Sequence, residues 1–387
     1  MNCEKASSDG KKLLKIHVIG AGKGESIILE MPNNNWGVVD CYSPSLSDSE
    51  ANPTIIFLRR NNVEELEFLC LTHPHDDHYL GMTQLIKEFR VNRFWRFPPR
   101  PLQKVVKYFK AVDKEKGICY SDSAEELKEI FRLFDEIRRE KDRIAKEFVE
   151  LTEGFKLLLN ATISIGEEKV PLRIFSLGPS GNLVDTYQEV LEKYFSGKIM
   201  YASKIDPIHN LISSVLLVVY GNTHVILGGD APKKNWKYIL NNFAENLYGD
   251  ISIASHLVKI SHHGSLTGLV NNLWKTLTNN KAYSSYAVLT PFTRYGLPER
   301  LVVEHISSYT MEVFSTNLDC LNFRYRKPEE VLGEYNIRKQ LRDSGSKARV
   351  ISDPSSQIIH RCSFSFNSDG ECDFELEGNG GPFSLEL

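Results

Sequence analysis

The run Thr72-His73-Pro74-His75-Asp76-Asp77-His78 constrains this chain more than any other stretch. Three histidines and two aspartates fall within six positions there. Crowded histidines repel one another once protonated, and when buried they leave ring nitrogens to satisfy. A divalent cation resolves both problems, because imidazole and carboxylate are its natural ligands. A solvated His-rich loop is the plain alternative, and two further stretches argue against it. The run follows the apolar segment Glu67–Thr72 (EFLCLT) and precedes the helical pattern of Met82–Arg90. That order predicts a loop at the C-terminal end of a buried strand.

The second stretch is Gly228-Gly229-Asp230, which closes the β-rich run Thr223–Leu227. The third is Ser261-His262-His263-Gly264-Ser265, directly after the apolar run His256–Ser261. Alone, a Gly-Asp turn is commonplace, and a His pair is more often structural than catalytic. Together they give three strand-end loops with metal-ligand side chains, drawn from both halves of the chain.

Those halves, Leu13–Phe97 and Leu172–Thr316, alternate short strands and helices. The pattern suits a layered α/β protein. Strands are expected at Leu13–Ile19, Ile27–Glu30, Gly37–Asp40, Thr162–Phe175 and Ser214–Tyr220, with a hairpin turn at Gly221-Asn222. A helix is expected around Leu183–Phe195. Between the halves, about 101–160, Leu127, Ile130, Phe131, Phe134, Ile137, Ile144, Phe148 and Leu151 recur at mostly helical steps. Ser123-x-x-Glu126 fits a capping box. The spacing predicts a helical insertion over 123–157, outside the sandwich core, with a Glu- and Lys-rich face suited to solvent or to a partner protein. The tail from about Ser344 alternates as short strands.

With 47 Lys+Arg against 50 Asp+Glu, the net charge of −3 excludes a generically basic binder but not a local basic groove. No apolar run reaches the roughly 18 residues of a membrane span. The polar start, MNCEKASSDGKK, lacks the apolar centre of a secretory signal. Seven dispersed cysteines read as reduced thiols, with Cys41 and Cys70 in the core, and the expected location is cytoplasmic.

His73, His75, Asp77 and His78 match His-x-His-x-Asp-His, and here the chain resembles the metallo-β-lactamase superfamily. More narrowly it resembles the soluble hydrolase domain of ComEC-type competence proteins. GAGKGESIILEMPNNNWGVVDC is similar to that group's opening, with Asp40 as its buried aspartate. Asn210-Leu-Ile-Ser213, ILGGDA, KISHHGS, RYGLP and VFSTN are similar to its later motifs, in the same order. The resemblance implies a four-layer αββα sandwich over 13–330, carrying the insertion, with residues 331–387 as a small β-rich C-terminal extension. It implies two divalent cations, zinc by the His-rich set or manganese. His73 and His75 would hold one, Asp77, His78 and His263 the other, and Asp230 would bridge them. His209 and Asn210 both stay open as the further first-site residue. Where the family's closing motif reads Tyr-Gly-His-Pro, this chain has Leu297.

Such a centre hydrolyses a phosphorus or carbonyl ester with a metal-activated water. Asp77 would also orient the nucleophile; His262 and His305 are the candidates to protonate the leaving group, with a structural or surface histidine as the favoured alternative for each. Arg93, Arg96 and Arg100, interleaved with Phe94, Trp95 and Phe97 and followed by Lys104, Lys107 and Lys110, suit a phosphodiester substrate such as nucleic acid. A strand with core aromatics and solvated arginines is the equal alternative. The expected function is a metal-dependent phosphodiesterase or nuclease. A lactone, thioester or amide hydrolase, or a regulatory scaffold, is the competing expectation. Gly20-x-Gly22-x-Gly24 lacks the Lys-Ser/Thr of a phosphate-binding loop and reads as a tight turn beside the metal edge.

Overall fold

Tyr220 and Thr223 face each other across the expected two-residue turn, whose Gly221 has φ +55°. That hairpin sits inside one of two large sheets of a computed structural model describing residues 12–97, 105–108, 110–111, 122–139, 147–201, 206–278, 285–323, 349–351, 358–383 and 385. The first sheet has nine strands, in spatial order Arg349–Ile351, Cys372–Glu377, Arg361–Phe366, Leu14–Ile19, Ser26–Glu30, Trp36–Val39, Phe68–Leu71, Arg93–Arg96 and Glu147–Glu150. The second has eight, in the order Gly381–Phe383, Glu312–Ser315, Tyr286–Leu289, Leu257–Lys259, Thr223–Leu227, Val215–Tyr220, Glu168–Gly178 and Lys156–Ile165. A two-strand ladder, Glu65–Leu66 with Arg90–Val91, stands apart.

The burial pattern assigns the layers. Leu14, Ile16, Val18, Phe68 and Trp95 of the first sheet meet Leu172, Leu216, Val218, Leu257 and Phe314 of the second in one apolar cluster between the sheets. The first sheet's other face is covered by helices Pro53–Arg60, Met82–Glu88, Asp122–Arg139 and Gly181–Phe195. Trp236, Ile239, Trp274, Val302 and Ile306, on helices Lys233–Ala244, Leu273–Leu277 and Arg300–Ser307, cover the second sheet's other face. The result is the expected four-layer αββα sandwich. Runs such as Val215–Tyr220 are continuously apolar because they are covered on both faces.

Two expectations are corrected. The insertion is not an appendage outside the core. Leu127, Ile130, Phe131 and Phe134 are buried against the first sheet, and the Phe94 and Phe134 rings lie 4.7 Å apart. Its helix is described over Asp122–Arg139, Ile144 lies outside the described residues, and Phe148 belongs to a strand paired in parallel with Arg93–Arg96. Glu126 accepts from the amides of Gly81 (3.1 Å) and Thr83 (3.0 Å), so it caps the start of Met82–Glu88. The C-terminal residues, expected as an extension, complete both sheets instead. Arg361–Phe366 pairs antiparallel with Leu14–Ile19, and Gly381–Phe383 with Glu312–Ser315.

Among the described residues no helix is long and apolar enough to cross a membrane. Cys41, Cys70, Cys320 and Cys362 are free thiols. Burial pushes the Cys41 thiol up to about 12, so it is inert packing.

Candidate metal centre

Trp36–Val39, Phe68–Leu71, Thr223–Leu227, Leu257–Lys259 and Tyr286–Leu289 run parallel to a neighbour and end at one edge of the sandwich. Their following residues are Asp40, Thr72-His73, Gly228–Asp230, Ser261–His263 and Thr290. Side chains beyond strand ends converge in a crevice, so the topology brings these residues together.

Ligand-type atoms of Asp77, His78, Asp230 and His263 all lie within 4.8 Å of one another. Those of His73, His75 and Asp230 form another such group, the expected first site, while the Asp77 set is the expected second, and Asp230 belongs to both. His263 Nε2 lies 2.9 Å from Asp77 Oδ2, and His73 Nε2 lies 3.7 Å from Asp230 Oδ2. Every member except half-buried His75 is buried. The six residues that the resemblance implies as ligands thus stand in one cluster.

Outer residues fix the rings. Asp40 Oδ1 accepts from the Thr72 amide (2.8 Å), and Oδ2 accepts from Thr72 Oγ1 (2.6 Å) and His78 Nδ1 (2.7 Å). Since the Thr72 hydroxyl proton goes to Asp40, the hydroxyl oxygen accepts from His73 Nδ1, 3.0 Å away. Both rings therefore turn Nε2 towards Asp230. Asp40 adopts φ +58°, a left-handed conformation that aspartate tolerates better than most residues. His262 and His263 have φ +50° and +52°, strain held by the hydrogen bond from the His262 amide to Gly229 O (3.0 Å). Gly24 is needed for close approach, since a Cβ there would lie 2.7 Å from the Asp77 carbonyl.

Burial opposes charge on Asp77 and Asp230, yet His78 and its neighbours hold both well below the usual carboxylate range. Burial also opposes a charged His78, but Asp77, Asp230 and Asp40 raise it well above an ordinary histidine. Burial, with His78 beside it, pushes His73 well down, leaving it neutral. The donor set fits a divalent cation. It offers ionised carboxylates and imidazole nitrogens aimed inwards, and His78 Nε2 and Asp230 Oδ1, 3.4 Å apart, make no hydrogen bond.

His262 lies at the mouth. Its Nδ1 is 2.6 Å from Thr267 Oγ1, and its Nε2 is 3.2 Å from Asn210 Nδ2 and 3.8 Å from Asp230 Oδ2. His305 stands apart on the helix Arg300–Ser307, beside Tyr309. His209 is buried with Nδ1 3.0 Å from the Tyr187 hydroxyl, and its ring is 5.5 Å from that of His75. It is next to the first group without belonging to it. Near Leu297, Phe292 stacks on His263 at 5.0 Å.

Arg93 pairs with Glu67 and Glu147, and Arg96 pairs with Glu150 at 2.9 Å. Phe94, Trp95 and Phe97 are fully buried. Arg100 and Lys104 lie outside the described residues. Sequence reasoning passed over Glu25, Lys259 and Thr290, which stand behind His263. The available signal was a lysine inside the apolar run His256–Ser261, because a buried cation requires a partner.

No family model and no curated protein matches the chain. Solved structures similar to it include a metallo-β-lactamase superfamily protein from Sulfolobus tokodaii, 15% identical with a TM-score of 0.25, over 56% of this chain and 62% of that one. A diphosphatase of the PhnP family is similar at 11% identity and a TM-score of 0.31, over 75% of this chain and 90% of that one. Zinc-bound PqqB from Methylobacterium extorquens is similar at 9% identity and a TM-score of 0.36, over 77% of this chain and 97% of that one.

Proposed function

We propose that this chain is a metal-dependent hydrolase of the metallo-β-lactamase superfamily, of the ComEC-like kind, that cleaves phosphodiester bonds. The observation that carries the reading is the convergence of His73, His75, Asp77, His78, Asp230 and His263 from three strand-end loops into two groups sharing Asp230. His73, His75 and Asp230 would hold one cation, and Asp77, His78, His263 and Asp230 the other, zinc or manganese. Bound there, they supply Lewis-acid neutralisation of developing charge and lower the pKa of water.

The remaining work belongs to the chain's own groups. Asp77 orients the attacking water beside His263, whose Nε2 faces its carboxylate at 2.9 Å, and the Glu25 amide ties its backbone by donating to the Asp77 carbonyl. His262, with 22% of its side chain exposed, protonates the leaving oxygen through Nε2. Asn210 supports both states of that ring. Its amide nitrogen donates to a neutral Nε2, and after an amide turn its oxygen accepts from a protonated one. Asp40 keeps His73 and His78 in the tautomer whose Nε2 faces the cluster.

Nucleic acid is the finer substrate proposal, with Arg93, Arg96 and Arg100 as phosphate contacts. Phosphates would compete there with Glu67, Glu147 and Glu150, and base stacking is not available from the buried aromatics.

The test is metal analysis of purified protein with turnover of bis-p-nitrophenyl phosphate, single-stranded DNA and a nitrocefin-like amide. Bound metal with phosphodiester turnover is the expected result. Turnover of the amide alone would move the substrate to small molecules, and a protein that takes up neither zinc nor manganese would be a scaffold. For the DNA arm, Arg96→Ala should lower cleavage and reduce the salt slope by about one. It should leave bis-p-nitrophenyl phosphate unaffected.

A further inference from the structure

Glu25 and Lys259 form an ion pair with both side chains fully buried, immediately behind the second ligand group. They come from opposite sheets. Glu25 precedes Ser26–Glu30 of the first, and Lys259 ends Leu257–Lys259 of the second. Burying two charges is costly, and a buried ion pair is weak evidence of stability in itself. What the pair touches gives it a role.

Glu25 Oε2 accepts from Thr290 Oγ1 at 2.5 Å. With its hydroxyl proton committed to Glu25, Thr290 presents only acceptors to His263. Its Oγ1 and its carbonyl oxygen each lie 2.9 Å from His263 Nδ1. Nδ1 must therefore carry the proton, and Nε2 is left facing Asp77. The Glu25 amide also donates to the Asp77 carbonyl at 3.0 Å, so one residue is tied to two members of the group. The arrangement repeats the Asp40–Thr72–His73 relay on the other side of the cluster. There Asp40 is balanced by His78, and here Glu25 is balanced by Lys259.

We infer that Glu25 and Lys259 are positioning residues for the second metal group, a carboxylate that through the Thr290 hydroxyl fixes one of the two acceptors facing His263 Nδ1 and a built-in cation that pairs with that carboxylate in the core. This rests on the metal-site reading proposed above. The test follows cobalt(II) uptake by the whole protein, through its visible absorption and bound stoichiometry, alongside thermal unfolding of the metal-free form. Glu25→Gln and Lys259→Met each leave one buried charge alone, and both should lower the unfolding temperature. Each should also weaken the second cobalt ion about 10–100-fold. The double variant Glu25→Gln/Lys259→Met removes both charges and should recover most of the unfolding temperature. Its second cobalt ion should remain weakened about tenfold or more with an altered spectrum, because no carboxylate fixes the Thr290 proton. A double variant that binds both ions with the wild-type spectrum and affinity would overturn the inference and leave the pair purely structural. A wild-type protein that binds no cobalt overturns the metal-site reading itself, and this one with it. Should the single variants fail to fold, the double variant decides alone.

Discussion

Asp40 Oδ2 lies 2.7 Å from His78 Nδ1 and 2.6 Å from Thr72 Oγ1, so one buried carboxylate sets two imidazoles. Asp40→Asn keeps the shape and tolerates the same left-handed backbone, but it halves the accepting capacity. Metal affinity should fall about 10–100-fold, the usual effect of losing a partner that orients a ligand. Competition with a chromophoric chelator measures this directly. An unchanged affinity would remove Asp40 from the positioning role.

Asp77→Ala should lower hydrolysis of bis-p-nitrophenyl phosphate by at least about a hundredfold, with zinc or manganese in excess. The fold should survive. The inter-sheet cluster around Val218 and Leu257 does not include Asp77, and its removal takes away a carboxylate packed near Asp230. Circular dichroism and thermal unfolding give the check. Loss of activity together with loss of the fold would make Asp77 structural.

His262→Gln should leave metal content unchanged and reduce kcat by about 10²–10⁴-fold for an alkyl phosphodiester, whose leaving oxygen needs a proton. With p-nitrophenolate leaving, the loss should be much smaller. Equal losses on both substrates would exclude His262 as the acid.

His17 offers a pH test outside the ligand groups. Burial lowers its pKa to about 4, with Arg361 opposing a second positive charge. The folded value lies below the unfolded 6.5, so the unfolded chain binds more protons between them. His17's contribution is fully present above about pH 6.5 and is lost as pH falls towards 4. The full difference is about 3 kcal/mol at 1.36 kcal/mol per pKa unit. His17→Gln keeps a partner for Ser363 and cannot titrate, so its denaturation midpoint should fall less steeply over that window. A parallel acid profile would refute the assignment. His256, also lowered to about 4 by burial, should supply part of the remaining slope.

The candidate centre was legible because its proposed ligands sit in contiguous runs, each following an apolar strand. Glu25 and Thr290 were not legible. Each is an ordinary residue in sequence, made functional by contacts spanning 265 positions. The insertion misled for a different reason. Phe148 and Leu151 continue a helical spacing from Phe134, yet the edge beside Arg93–Arg96 offered backbone partners that local pattern cannot register. The tail's alternation marked strands correctly, while nothing local indicated that they would lie against Leu14–Ile19.

That last pairing sets an order of assembly. His17 meets Ser363 across 346 positions, so one strand waits for a partner that is synthesised long after it. Until then Leu14–Ile19 is an apolar edge, the kind of surface on which unfinished chains stick to one another. A ribosome-bound chain that already contains every proposed metal ligand still lacks the neighbour that closes its first sheet. Chaperone demand during synthesis, and aggregation on truncation before Arg361, should therefore track the strand Arg361–Phe366 rather than the ligand-bearing loops.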